Sequence, residues 1–258
     1  MPPLYIDAHC HLHSFNDERV HYFLSQNFFI IAVSEDLNSS IRSIELSKLS
    51  SRIYPCIGIH PWEFSEETER EINRLSNLIN EISCLGEIGL DYRYGKVSKE
   101  KQICFFKKLI RLAVEYDLKL NLHALDSWRD ILNMIVRFDI KKAIFHWYSG
   151  PIDLLKDFES KGYFITINPC VRFQKKHSKV LQHSPLSIIL TESDGPYEYK
   201  GVSLEPTLIP ELINYISDVK EISRRDLLRI IVRNVSKFLD MDISKLKSQN
   251  IKNRSYKL

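Results

Sequence analysis

Short apolar runs alternate with helical patterns from one end of the chain to the other. The runs fall at residues 4–6, 28–33, 53–57, 83–85, 118–122, 143–145, 163–167 and 187–190 and are rich in isoleucine. Such runs are expected for strands buried on both faces of a parallel sheet. Between them the apolar positions change period. Ile72, Leu75, Ile79 and Ile82 repeat at helical spacing within 67–82, and Ile103, Phe106, Ile110 and Ala113 do so within 99–116. Eight strands alternating with helices predict an α/β fold, a (β/α)8 barrel of the TIM type. An open doubly wound sheet is the competing arrangement. Periodicity does not choose between them; the positions of the chemistry do.

Composition narrows the class. The chain has 258 residues, long enough for a barrel folded as one domain, with 44% hydrophobic and 27% charged residues. No repeat, low-complexity tract or linker divides it, so residues 1–243 are expected to form a single barrel, leaving 244–258 as a basic tail that need not be ordered. The net charge of +3 does not by itself indicate nucleic acid. Two stretches, 172–179 and 245–257, are locally basic and suit either phosphate contact or solvated surface. The five cysteines are scattered, with no CxxC pair, so neither a zinc ribbon nor a disulfide framework is suggested, and reduced thiols in a cytoplasm are expected. No signal peptide or membrane span is visible.

The chemistry collects where the strands end. Asp7-Ala8-His9-Cys10-His11 follows the first strand, and side chains two apart in an extended chain share a face, so Asp7, His9 and His11 converge. Two imidazoles on one side of a strand end make half of a metal site. His60 follows the third strand in a Gly-Ile-His-Pro turn. Glu87 and Asp91 lie in Gly86-Glu87-Ile88-Gly89-Leu90-Asp91 after the fourth. His123 and His146 close the fifth and sixth strands, and Glu192 and Asp194 follow the eighth. Barrel enzymes place their reactive groups at the C-terminal ends of different strands, and these positions do the same. His13, His21, His177 and His183 lie off the strand ends and are expected at the surface. Tyr92, Trp147, Tyr148, Phe173 and Tyr197 are expected in loops at the site end, where they suit either base stacking or rim packing.

Taken together, DAHCHL, GIHP, GEIGLDY, the strand-ending His123, FHWYSG and LTESDGPY resemble the TatD family of metal-dependent deoxyribonucleases, within the amidohydrolase-like barrel superfamily. The resemblance extends to the segment ending at Phe238. It implies two divalent ions, Zn²⁺, Mn²⁺ or Mg²⁺. His9, His11 and Asp194 would hold one, His123 and His146 the other, with Glu87 between them. Asp194, with Glu87, would carry the catalysis, and Asp7, His60, Asp91 and Glu192 would line or support the site. Arg93, Arg172, Lys175 and Lys176 are candidates for contact with the substrate, expected to be single-stranded DNA or strand ends. The chain departs from the family in reading His123-Ala124-Leu125-Asp126 where an arginine is usual shortly after the histidine. Two rivals therefore stay open: a barrel enzyme acting on a small ester, amide or phosphoester, and a catalytically silent barrel serving as a binding or scaffold protein.

Overall fold

The computed structural model describes residues 3–246; beyond residue 246, the basic tail expected from the sequence lies outside the described residues. Eight strands and their connecting helices alternate in chain order: β1 (Tyr5–Cys10), α1 (Asp17–Ser25), β2 (Phe28–Val33), α2 (Leu37–Ser47), β3 (Ile53–Cys56), α3 (Thr68–Leu75), β4 (Cys84–Asp91), α4 (Lys99–Glu115), β5 (Lys119–Leu125), α5 (Trp128–Arg137), β6 (Ala143–Phe145), α6 (Leu155–Lys161), β7 (Phe164–Ile167), α7 (Lys175–His183) and β8 (Ile189–Thr191). A hairpin of β9 (Glu198–Tyr199) and β10 (Val202–Ser203) follows, then α8 (Ile209–Val219) and α9 (Arg224–Leu239). Local chemistry sets several helix starts. Asn16 and Ser98 accept from backbone amides of α1 and α4, and Asp36 and Ser39 cap each other's amides at α2.

All neighbouring barrel strands are parallel, in two ladders, β1-β2-β3 and β4-β5-β6-β7-β8. Two seams close the barrel. At the first, Ile57 bridges to Leu85, and the Ser34 amide and carbonyl pair with Gly86 and Glu87 beyond the short β3. At the second, the Thr191 hydroxyl donates to the Ile6 carbonyl at 2.6 Å, and the amides of Asp194 and His11 donate to His9 and Gly195. β2, β4, β6, β7 and β8 are buried at every position, so their apolar side chains are covered on both faces.

Two expectations are refined and one is corrected. The helical pattern over 67–82 divides into α3 and a 3₁₀ segment, Ser76–Glu81, which keep Ile72, Leu75 and Ile79 on one buried face. β4 runs six residues past the apolar run that marks it, because Gly86, Glu87 and Gly89 are part of the strand. The expectation of five thiols is corrected. Cys56 and Cys84 form a disulfide, because the Ile57–Leu85 bridge sets β3 and β4 side by side there; a separation of 28 residues gives no local signal of it. Cys10, Cys104 and Cys170 are free. No helix among the described residues is long and apolar enough to cross a membrane.

Candidate metal centre

Glu87, buried in β4, stands between two groups of imidazoles, one at each carboxylate oxygen. Oε2 lies 3.2 Å from His9 Nε2 and 3.3 Å from His11 Nε2, and both nitrogens are 3.4 Å from Asp194 Oδ1. Oε1 lies 2.7 Å from His123 Nδ1, 2.9 Å from His146 Nε2 and 3.3 Å from His60 Nε2. These residues come from the ends of β1, β3, β4, β5, β6 and β8, which only a closed barrel brings to one point.

The outward nitrogen of each imidazole decides what the inward one presents. His9 Nδ1 is 2.8 Å from Asn121 Oδ1, while the Asn121 amide nitrogen donates to the Ala8 carbonyl. The amide therefore turns its acceptor to His9, Nδ1 carries the proton, and Nε2 is left as a lone pair. That lone pair is buried, has no hydrogen-bond partner and faces two carboxylate oxygens. Three acceptors at 3.2–3.4 Å need a cation among them. His123 is also held from behind: Nε2 lies 3.0 Å from Asp91 Oδ2 and Nδ1 turns to Glu87 Oε1, and despite burial the hydrogen bonds to these two carboxylates raise its pKa above the ordinary histidine value. Nδ1 of His11 is 2.9 Å from Glu35 Oε1, and Nδ1 of His146 is 3.7 Å from Glu192 Oε2. Imidazoles held from behind by carboxylates or amides are the supports that metal-binding histidines use. The residues present thus fit divalent cations. His9, His11, Asp194 and Glu87 could hold one, and Glu87, His123 and His146 a second.

The electrostatics point the same way. Burial opposes ionisation of Glu87, yet the imidazoles around it, His146 foremost and His11 by a hydrogen bond, hold its carboxyl well below the usual range. Asp194 is lowered despite burial by a hydrogen bond from His11 and by His146. His11 and His146 would be lowered by burial, but their carboxylate neighbours raise both well above the ordinary histidine value. Without a metal, protons supply the positive charge that the carboxylates require. Asp91 sits at about 2 in spite of burial, held there by His123, the Tyr94 amide and Trp62. Asp7 is different: burial pushes it up to about 8, and its Oδ1 accepts from the amides of His9 and Ser193, tying β1 to the loop that carries Asp194.

A cavity of about 760 Å³ opens above Glu87, and Trp62, Tyr94, Trp147, Phe173, Tyr197 and Tyr199 line it. Lys175, Lys176 and Arg93 also line it, but Arg93 is held by Asp126 through Nε and Nη2, both 2.9 Å from carboxylate oxygens. Arg172 turns away to Glu211 on α8. Two histidines expected at the surface are not there. His177 is fully buried, its Nδ1 2.7 Å from the Tyr148 carbonyl, because α7 packs against the β7 end where Asn168 donates to its other nitrogen. The His13 side chain is 10% exposed and faces Glu35. Glu35 and Asn121 support the site without belonging to the strand-end pattern that marks the other residues. Asn121 carried a signal, a polar residue inside a buried run two positions before His123; Glu35 had none beyond following β2.

Comparison with known proteins agrees. Residues 6–240 match the family described as TatD related DNase. An uncharacterized metal-dependent hydrolase of Methanocaldococcus jannaschii is 32% identical over 249 residues, covering 91% of this chain and 96% of the relative. Human deoxyribonuclease TATDN3 is 26% identical over 255 residues, 90% of this chain and 93% of its own. Among solved structures, the TatD homolog YJJV of Escherichia coli superposes with a TM-score of 0.80 at 21% identity, covering 92% of this chain and 98% of that one. With this match running from the first strand through the last helix, the chain belongs to the family of TatD-related DNases.

Proposed function

We propose that this TatD-family hydrolase cleaves DNA phosphodiester bonds at a centre of two divalent cations, Zn²⁺, Mn²⁺ or Mg²⁺. The observation that carries the reading is the division of labour at Glu87, each oxygen facing its own set of imidazoles. His9, His11 and Asp194 would hold one ion, His123 and His146 the other, and Glu87 both. Bound there, two such ions would supply an activated water and neutralise charge on the phosphate. The protein's own groups do the rest. Asp194, ionised and at the cavity floor, accepts the proton of the attacking water. Asp7 and Asp91 fix the strand ends from behind, and Glu192 lies behind His146. Trp62, Tyr94, Trp147, Phe173, Tyr197 and Tyr199 offer π-faces to unstacked bases, which favours single strands or strand ends over intact duplex. Lys175 and Lys176 suit the backbone phosphates.

One observation favours a second reading, a small ester or phosphoester substrate: Asp126 neutralises Arg93 on a rim where the family usually offers an arginine. A single panel separates the two. Metal-stripped protein is incubated with Mg²⁺, Mn²⁺ or Zn²⁺ against labelled single-stranded DNA, duplex DNA, RNA and small esters. The expected result is loss of DNA cleavage on chelation, recovery with a divalent ion, and faster cutting of single strands. Ester turnover without DNA cleavage would select the second reading, and undiminished activity in metal-free protein would refute the mechanism.

A further inference from the structure

His60 lies as close to Glu87 as the candidate ligands do, yet its hydrogen bonding is reversed. It is the N-cap of the 3₁₀ turn Pro61–Glu63, and its Nδ1 accepts the Trp62 backbone amide at 3.1 Å. A backbone N–H can only donate, so Nδ1 holds a lone pair and the proton of the neutral ring sits on Nε2. Nε2 is the nitrogen that faces the centre, 3.0 Å from His123 Nδ1 and 3.3 Å from Glu87 Oε1. Glu87 Oε1 presents lone pairs to it, and His123, held through Nε2 by Asp91, turns its Nδ1 to the same oxygen. For Nε2 to become a ligand, the proton would have to move to Nδ1, where it would oppose the Trp62 amide. His9 and His123 are held in the opposite sense, by acceptors behind them.

We propose that His60 is not a metal ligand but a hydrogen-bond donor, its Nε2–H grasping an anionic oxygen of the phosphate at the Glu87–His123–His146 side of the centre. The role rests on the hydrolase reading above. In the metal-free protein the Nε2–H has Glu87 Oε1 as its acceptor. With that oxygen engaged by a cation, the proton would be free for the next acceptor in the cavity, and His60 lines that cavity. The donor is thus offered to substrate only when the centre is loaded.

Three measurements test this. In metal-free protein, ¹⁵N–¹H correlation spectra of the His60 ring should show a bare Nδ1 and a protonated Nε2; the opposite tautomer would overturn the proposal whatever metals do. In elemental analysis, His60→Asn, whose side-chain oxygen can still accept the Trp62 amide, should retain wild-type metal content, whereas His123→Ala should lose metal. Equal losses in the two variants would make His60 a ligand and overturn the proposal. Titrating inorganic phosphate into the metal-loaded proteins should show roughly 10- to 100-fold weaker binding in His60→Asn, the cost of a hydrogen bond to a charged group. His60→Gln, with an amide donor near the Nε2 position, should recover part of it, and unchanged phosphate affinity in His60→Asn would refute the donor role. A wild-type protein that takes up no divalent ion would instead refute the hydrolase reading itself, with this role falling alongside it.

Discussion

His9 and His60 stand 3.2 and 3.3 Å from oxygens of the same carboxylate, and the groups behind them give their inward nitrogens opposite characters. Asn121 makes one a lone pair and the Trp62 amide makes the other a donor. The groups around the imidazoles also set how the centre responds to pH. His11 and His146 hold protons well above the ordinary histidine value. The stability they give the metal-free protein is present below about pH 6.5, their unfolded value, and is lost as pH rises through the raised folded values. A cation must displace those protons, so binding strengthens with pH. Added Mn²⁺ should therefore raise the melting temperature more at about pH 8 than at about pH 6; an equal or larger rise at the lower pH would contradict the assignment. At this scale much was legible. His9, His11, Glu87, His123, His146 and Asp194 each follow a short apolar run, and a polar group there is easily seen. The residues behind them were harder, because Glu35 and Trp62 owe their places to contacts between elements that no local pattern encodes.

Strand β4 shows why the elements are built as they are. Glu87 is flanked by glycines, and at Gly89, where φ is 157°, a Cβ would come within 1.9 Å of the His123 carbonyl oxygen. β4 and β5 can approach closely enough to bring His123 onto Glu87 only because Gly89 has no side chain. Gly89→Ala should cost about 3 kcal/mol or more through clash and backbone strain together, and should also lower metal content. Gly162, left-handed at the end of α6 with open space around it, should cost only about 1 kcal/mol as alanine. Urea midpoints of the two variants check the difference, and equal losses would mean that the β4–β5 contact yields. The strand count and order were readable from apolar runs, but the length of β4 was not, since its glycines and carboxylate break the run. The seam between β3 and β4, and the disulfide across it, were invisible for a related reason: they join residues whose only link is their position around the barrel.

At the scale of the molecule, barrel closure turns eight separate strand ends into one cavity with a charged floor and an aromatic rim. The loop from β7 into α7 contributes unequally to it. Lys175 and Lys176 line the cavity, whereas Arg172 is paired with Glu211. Replacing both lysines by alanine should reduce the log–log salt slope of single-stranded DNA binding by roughly 0.7 per lost contact. Arg172→Ala should leave the slope unchanged, and a fall there as large as in the lysine variant would refute this division. Whether Glu87 joins two cation sites is read from diffraction by crystals of Mn²⁺-loaded protein. Two anomalous-difference peaks about 4 Å apart are expected, one against Glu87 Oε2 with His9, His11 and Asp194, the other against Oε1 with His123 and His146. A single peak, or two peaks of which neither touches Glu87, would contradict that arrangement.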